Sequence, residues 1–132
     1  MTTHLPDVAF QTLRDLRRNL LHLHKVLLDA ERAAYERARG VVSIGELLQL
    51  VINHEQFAWL HTISELIVRI DEMLDPKETS TAKDATALLS YAQALLTPDE
   101  AGTDFQRKYY TALQSEPAAL IAHREVLLVF KN

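Results

Sequence analysis

The chain has 132 residues, a formal net charge of −4 at pH 7 and a hydrophobic fraction of 48%. This length corresponds to one domain over residues 1–132, and the hydrophobic fraction is close to the average of globular proteins. The absence of cysteine excludes disulfides, thiolate metal sites and cysteine nucleophiles.

The composition also bears on the cellular location and the binding partners of the protein. A chain without cysteine fits a reducing cytoplasm, and residues 1–7 lack the basic and apolar regions of a signal peptide. No apolar run approaches the roughly 20 residues needed to span a bilayer. An acidic chain without a basic stripe interleaved with aromatic residues is a poor nucleic-acid binder. We therefore expect a cytoplasmic protein that binds neither membranes nor nucleic acids.

The first predicted helix runs from about residue 7 to residue 38. Leucine and alanine recur along it at alternating steps of three and four residues, which places them on one face, and the positions between them are charged. The residues of this seam are Leu13, Leu16, Leu20, Leu23, Leu27, Ala30 and Ala34. Gly40 supplies the left-handed residue that commonly follows a helix C-terminus.

The second predicted helix spans about residues 44–74. Ser43 lies three residues before Glu46, which is the spacing of a capping box, where each side chain bonds the other residue's backbone N–H. An apolar face continues along the helix, and Pro76 ends it, because the residue before a proline is pushed out of the α region. Two long helices joined by a short glycine-containing loop are expected to lie antiparallel.

Three shorter helices are predicted for the rest of the chain, over about residues 82–96, 99–114 and 117–130. Thr81 and Asp84 resemble a second capping box. Gly102 leaves the start of the middle helix open between residue 99 and Thr103, so that residues 97–104 are either helix or loop. The predicted fold class is all-α, a four- to five-helix bundle with two long antiparallel helices and three shorter ones.

Histidine and glutamate on the second predicted helix raise the question of a metal site. His54, His61 and Glu65 are spaced i, i+7 and i+11, on one stripe of a continuous helix, and such side chains ligate Zn, Fe or Mn. This stripe is turned away from the apolar face, whereas bundles hold metals in their cores between facing helices. We therefore predict no metal and no cofactor. The alternative is a metal-binding bundle that uses His54, His61, Glu65 and His123.

No arrangement of catalytic residues stands out in the sequence. It contains no nucleophile elbow, no glycine loop that cradles phosphate and no His-Glu-x-x-His motif, so no catalytic residue is predicted. A small-ligand pocket walled by Trp59, Phe57 and Tyr35 is a further hypothesis, set against the more common role of aromatic side chains in a core.

The FAWL segment at residues 57–60, followed by SELIVRIDE at residues 64–72, resembles a family of small, uncharacterised bacterial proteins built from helices. The resemblance extends more loosely over most of the chain. The family carries a Pro-Trp pair before the Phe and an Arg-Pro pair after the Leu, where this chain has Glu-Gln and His-Thr. The resemblance implies an all-helical fold and brings no activity with it. It places His61 where the family has an arginine, which argues against a metal role.

A weaker, architectural likeness is to the metal-binding helical proteins of the DinB/YfiT type. It rests on His54 in the second predicted helix, after the Gly-Glu-Leu-Leu at residues 45–48. Members of that type use two further histidines spaced i, i+4 on a late helix, and His123 has no such partner. The metal triad therefore does not carry over.

We interpret the chain as a non-enzymatic cytoplasmic bundle that works through contact, as a homodimer or with a protein partner. Symmetric dimers are the commonest oligomers. Residues 1–40 are slightly basic and residues 41–104 strongly acidic, which gives either ordinary solvated helix faces or a polar surface for self-association.

Overall fold

The computed structural model describes residues 4–131, with side chains from residue 8 onward, and this part of the chain contains helices and no strand. The seven helical segments are α1 (His4–Arg39), α2 (Ile44–Asn53), α3 (Glu55–Ala58), α4 (His61–Leu74), α5 (Ala82–Leu95), α6 (Asp104–Ser115) and α7 (Pro117–Phe130). The all-α prediction is confirmed. Within these residues, none of the helices combines the length and apolar character that crossing a membrane requires.

The predicted count of four to five helices is wrong, because the helix expected over residues 44–74 is divided into α2, α3 and α4. The first break lies at His54, whose backbone is extended, with φ −90° and ψ 134°. Its amide donates to the Leu50 carbonyl oxygen at 2.8 Å and ends α2, while its ring Nδ1 accepts from the Gln56 amide at 3.0 Å and begins α3. One histidine therefore caps two helices.

The second break lies at Trp59 and Leu60, between α3 and α4. The Leu60 amide donates to the Phe57 carbonyl oxygen at 3.1 Å and the Ile63 amide to the Leu60 carbonyl oxygen at 3.1 Å, which are the tighter i to i+3 bonds of a 3₁₀ turn. The Trp59 indole N–H donates to Glu31 Oε2 of α1 at 2.6 Å. This contact fixes the turn against α1.

The segment from α3 to α4 runs antiparallel to α1. Arg17, His24 and Glu31 follow one another along α1, and their partners follow one another in the reverse order along the α3–α4 segment. Arg17 pairs with Asp71, His24 Nε2 lies 3.1 Å from Ser64 Oγ, and Glu31 bonds Trp59.

The predicted seam of α1 forms the centre of the core. Its five leucines, Leu13, Leu16, Leu20, Leu23 and Leu27, are at most 1% exposed. Helices α4, α5 and α7 pack against α1, and α6 packs against α7. Ala30 and Ala34, which the pattern also assigned to the seam, are only half-buried. The seam therefore leaves the core in its last turns.

The remaining boundaries follow their caps. Gly40 has φ 94° and ends α1, and Thr81 opens α5 with the predicted capping box to Asp84. The fourth predicted helix, 99–114, begins too early, because α6 starts at Asp104. Thr103 is its N-cap, and Gln106 closes a capping box with it. Residues 97–103 precede the helix, which resolves the open start in favour of a loop.

Candidate functional site

Helix α2 carries a row of aliphatic side chains that the rest of the described chain leaves uncovered. Ile44, Leu48 and Ile52 follow one another at intervals of four residues, so they lie along one side of the helix. Their exposed fractions are 75%, 59% and 60%, and Val41, which precedes the helix, is 88% exposed. We call these four residues the α2 face. No residue of α2 itself is buried.

An adjacent side of α2 rests on the bundle without being enclosed by it. Leu47, Leu50 and Val51 are partly buried and pack against the core. The helix begins at the predicted capping box, in which the Glu46 amide donates to Ser43 Oγ at 3.1 Å. A ten-residue helix is marginal on its own in water and takes most of its stability from packing. The packing of α2 is therefore incomplete within one chain.

Sequence reasoning missed the α2 face because it followed a single apolar stripe along the predicted second helix. A signal was present in the composition of the segment. Its polar residues, Glu46, Gln49 and Asn53, lie on one side of the helix. Aliphatic residues therefore occupy most of the remaining circumference. A helix that is apolar on nearly all sides is normally buried on nearly all sides.

A second uncovered apolar surface lies on α7. The helix buries one side in the core through Ala119, Ala122, His123, Val126 and Val129. On its opposite side, Leu120, Ile121, Leu127 and Leu128 are between 41% and 60% exposed, and we call these four residues the α7 face. Because α7 is anchored by its buried side, it needs no further contact to be held in place. The two faces thus differ in how complete the packing beneath them is.

The four residues of the metal alternative have separate surroundings. His54 caps α2 and α3, as described above, and His61 Nε2 lies 2.7 Å from the carbonyl oxygen of Val51. Glu65 is exposed on α4, and His123 is buried against Tyr109. Among the described residues, no group of three or more His, Asp or Glu side chains is placed to hold a metal ion.

One histidine that the metal hypothesis did not use, His24, lies between α1 and α4. Its Nε2 is 3.1 Å from Ser64 Oγ. Burial lowers the pKa of His24, and repulsion from the nearby His61 lowers it further. The surroundings of His24 in the folded chain therefore favour its neutral form.

A buried polar pair connects α6 to α7. Tyr109 Oη lies 2.7 Å from His123 Nδ1, and the two rings meet edge to face with centroids 5.2 Å apart. Burial raises the pKa of Tyr109 and lowers the pKa of His123. Both groups are thus held in their neutral forms, and the hydrogen bond satisfies the two polar atoms inside the core.

The aromatic residues of the ligand-pocket hypothesis fall into two groups. Tyr35 and Phe57 lie together, with ring centroids 6.1 Å apart, and Phe57 is fully buried. Trp59 packs instead on Phe105 of α6, with centroids 5.7 Å apart. Beside Trp59, a groove of about 390 Å³ runs between α1, α3 and α6 and reaches Glu31. The hypothesis is thus retained for Trp59 alone.

Comparisons with protein-family models, with curated proteins and with solved structures gave no significant match to the chain. The resemblance of the FAWL and SELIVRIDE segments to small bacterial helical proteins therefore stays a prediction.

Proposed function

We propose that the chain is a non-enzymatic helical bundle that forms a homodimer through its α2 face. The observation that carries this proposal is the incomplete packing of α2, a helix with a capping box at its start and no buried residue. Removal of aliphatic surface from water favours association, by about 25 cal/mol per Å² before the entropic costs of binding are subtracted. The α2 face offers three such side chains along one side of the helix and Val41 just before it, and a contiguous aliphatic surface of this kind is typical of a protein interface.

The spacing within the α2 face supports a second copy of the chain as the occupant. A twofold interface joins the same surface of two copies, so the surface must be complementary to itself. Two α2 helices that cross antiparallel at Leu48 bring Ile44 of one copy opposite Ile52 of the other. Leu48 of one copy then meets Leu48 of the other, so each of the three helical residues of the face has an aliphatic partner.

The proposal also includes a cytoplasmic location and excludes roles in binding nucleic acids or metals. A cytoplasmic dimer agrees with the absence of cysteine from the sequence. A role at nucleic acids is disfavoured by the net charge of −4. Within the described part of the chain, no group of histidine and acidic side chains is placed to hold a metal ion, so the metal-binding alternative is not proposed as a second function.

The test compares one substitution on each apolar face. Leu48 of the α2 face and Leu128 of the α7 face are the same residue type, and both are 59% exposed. We expect Leu48→Glu to be monomeric in sedimentation equilibrium and Leu128→Glu to remain dimeric. The opposite result assigns the dimer to α7 and overturns the proposal. A monomeric wild-type chain overturns it as well and leaves a different protein as the occupant of the α2 face.

A further inference from the structure

The groove beside Trp59 contains a carboxylate that forms no ion pair within the described part of the chain. Glu31 is half-buried, and its Oε1 accepts from Gln56 Nε2 at 3.0 Å while its Oε2 accepts from Trp59 Nε1 at 2.6 Å. Both donors are neutral. Among the described residues, no Lys, Arg or His nitrogen lies within 4.0 Å of this carboxylate. The two neutral donors leave the negative charge of Glu31 without an ion pair, so the carboxylate can still pair with a cation.

The space next to Glu31 has the size and lining of a small-ligand site. Its volume of about 390 Å³ falls in the range of such sites, which are mostly apolar with a few polar groups. The lining includes Leu27 and Trp59 together with Ala30, Ala34 and Ala112. The small alanine side chains leave room between α1 and α6. The departure of Ala30 and Ala34 from the core, which the leucine seam did not predict, is what opens the groove.

We propose that this groove binds a small organic amine with an apolar body, whose protonated amino group pairs with Glu31. An ionised carboxylate only accepts hydrogen bonds, and each oxygen retains a further lone pair beyond the bond it already accepts. An ammonium group supplies donors and the opposite charge together, which makes a charge-assisted bond stronger than that of a neutral hydroxyl. This site is independent of the α2 face and of the homodimer.

The rim of the groove carries side chains of both charges. Arg37, Lys108 and Glu116 also line it, and Lys108 Nζ pairs with Asp104 Oδ2 at 3.3 Å.

The single tryptophan of the chain allows a direct test, because its indole N–H bonds the same carboxylate. The probes are phenethylamine and the neutral 2-phenylethanol, titrated into ¹⁵N-labelled protein while the indole resonance of Trp59 is followed. We expect a saturable shift with the amine and at least a tenfold weaker response to the alcohol. Equal responses to both probes, or no saturable shift, overturn the proposal.

Two variants separate the charge from the space. Glu31→Gln keeps an acceptor for one of the two donors and removes the charge, so we expect amine binding to fall at least tenfold. Ala34→Leu leaves Glu31 intact and fills the groove, so we expect a similar loss of amine binding. This variant also tests the proposal if Glu31→Gln fails to fold. Thermal unfolding followed by circular dichroism reports whether each variant is folded. Unchanged amine binding in a folded variant of either kind contradicts the proposal.

Discussion

The imidazole of His61, at the start of α4, lies 2.7 Å through its Nε2 from the carbonyl oxygen of Val51, in the last turn of α2. A carbonyl oxygen only accepts, so Nε2 carries the proton and donates. The last four carbonyl groups of a helix have no partner within it. This bond therefore satisfies one of them and fastens the end of α2 to α4.

Removal of this bond is expected to loosen α2. His61→Ala should lower the free energy of unfolding by about 1 kcal/mol, which is the usual net value of one hydrogen bond. It should also weaken the proposed dimer, because α2 is then held less firmly in the orientation that pairs. Urea titration and sedimentation equilibrium measure the two effects. His22→Ala, at an exposed position of α1, is the control, and equal effects of both substitutions argue against a tie between α2 and α4.

The buried pair of Tyr109 and His123 gives a second prediction. Tyr109→Phe removes the hydroxyl and leaves His123 Nδ1 in the core without its partner, since the two atoms are 2.7 Å apart. An unsatisfied buried polar group costs about 1–3 kcal/mol. Chemical denaturation should show this loss, whereas Tyr110→Phe, at the neighbouring half-buried position, should change stability little. Identical stabilities of the two variants would show that the bond is not a net stabiliser.

Acid should destabilise the fold below the ordinary histidine pKa of 6.5. Burial lowers the pKa of His24 and of His123 in the folded state, so between the folded and unfolded pKa values the unfolded chain binds more protons. The stability that each neutral histidine contributes to the folded state is therefore fully present above pH 6.5. It is lost as the pH falls from 6.5 through the folded-state pKa of that histidine. We expect a smaller free energy of unfolding at about pH 5 than at about pH 7.5.

The same pH series carries its own control. His24→Asn removes one of the two titrating groups and should reduce the difference between the two pH values. His22→Asn, which alters an exposed histidine two residues away, should leave the difference unchanged. A wild-type stability that is constant or rises toward acid would contradict the burial argument for both histidines.

Glycine substitutions test the start of α6. A Cβ at Gly102 would lie against Oε1 of Gln106, the atom that closes the capping box with Thr103, and 3.0 Å from Cβ of Asp99. We expect Gly102→Ala to lower stability by about 1 kcal/mol, the cost of a lost cap. Gly45→Ala is the matched control, because its nearest atom is 4.0 Å away in Ser43. In a helix this second change should be neutral or stabilising by up to about 1 kcal/mol, and a similar loss from both would refute the packing argument.

Local signals in the sequence predicted the helix boundaries where the cause is local. Ser43, Thr81 and Gly40 act through atoms within a few residues, and the structure places the expected caps there. The break at His54 was not predictable in this way. The apolar periodicity continues across it, and the side chain that makes the break acts as a cap rather than as part of a stripe.

The metal hypothesis depended on the same continuous helix. The spacing of His54, His61 and Glu65 places them on one stripe only if residues 54–65 form an uninterrupted helix, and two breaks lie in this segment. The α2 face was missed for a different reason. Periodicity shows that Leu48 belongs to an apolar side of a helix. It does not show whether other residues of the same chain cover that side.

The molecular mass of the wild-type chain in solution tests the central claim most directly. Light scattering over the micromolar range should give the mass of two chains, falling toward one chain only on dilution, because a dimer that buries the α2 face is held by mass action. A mass of one chain throughout that range would contradict the proposal that two copies pair through α2.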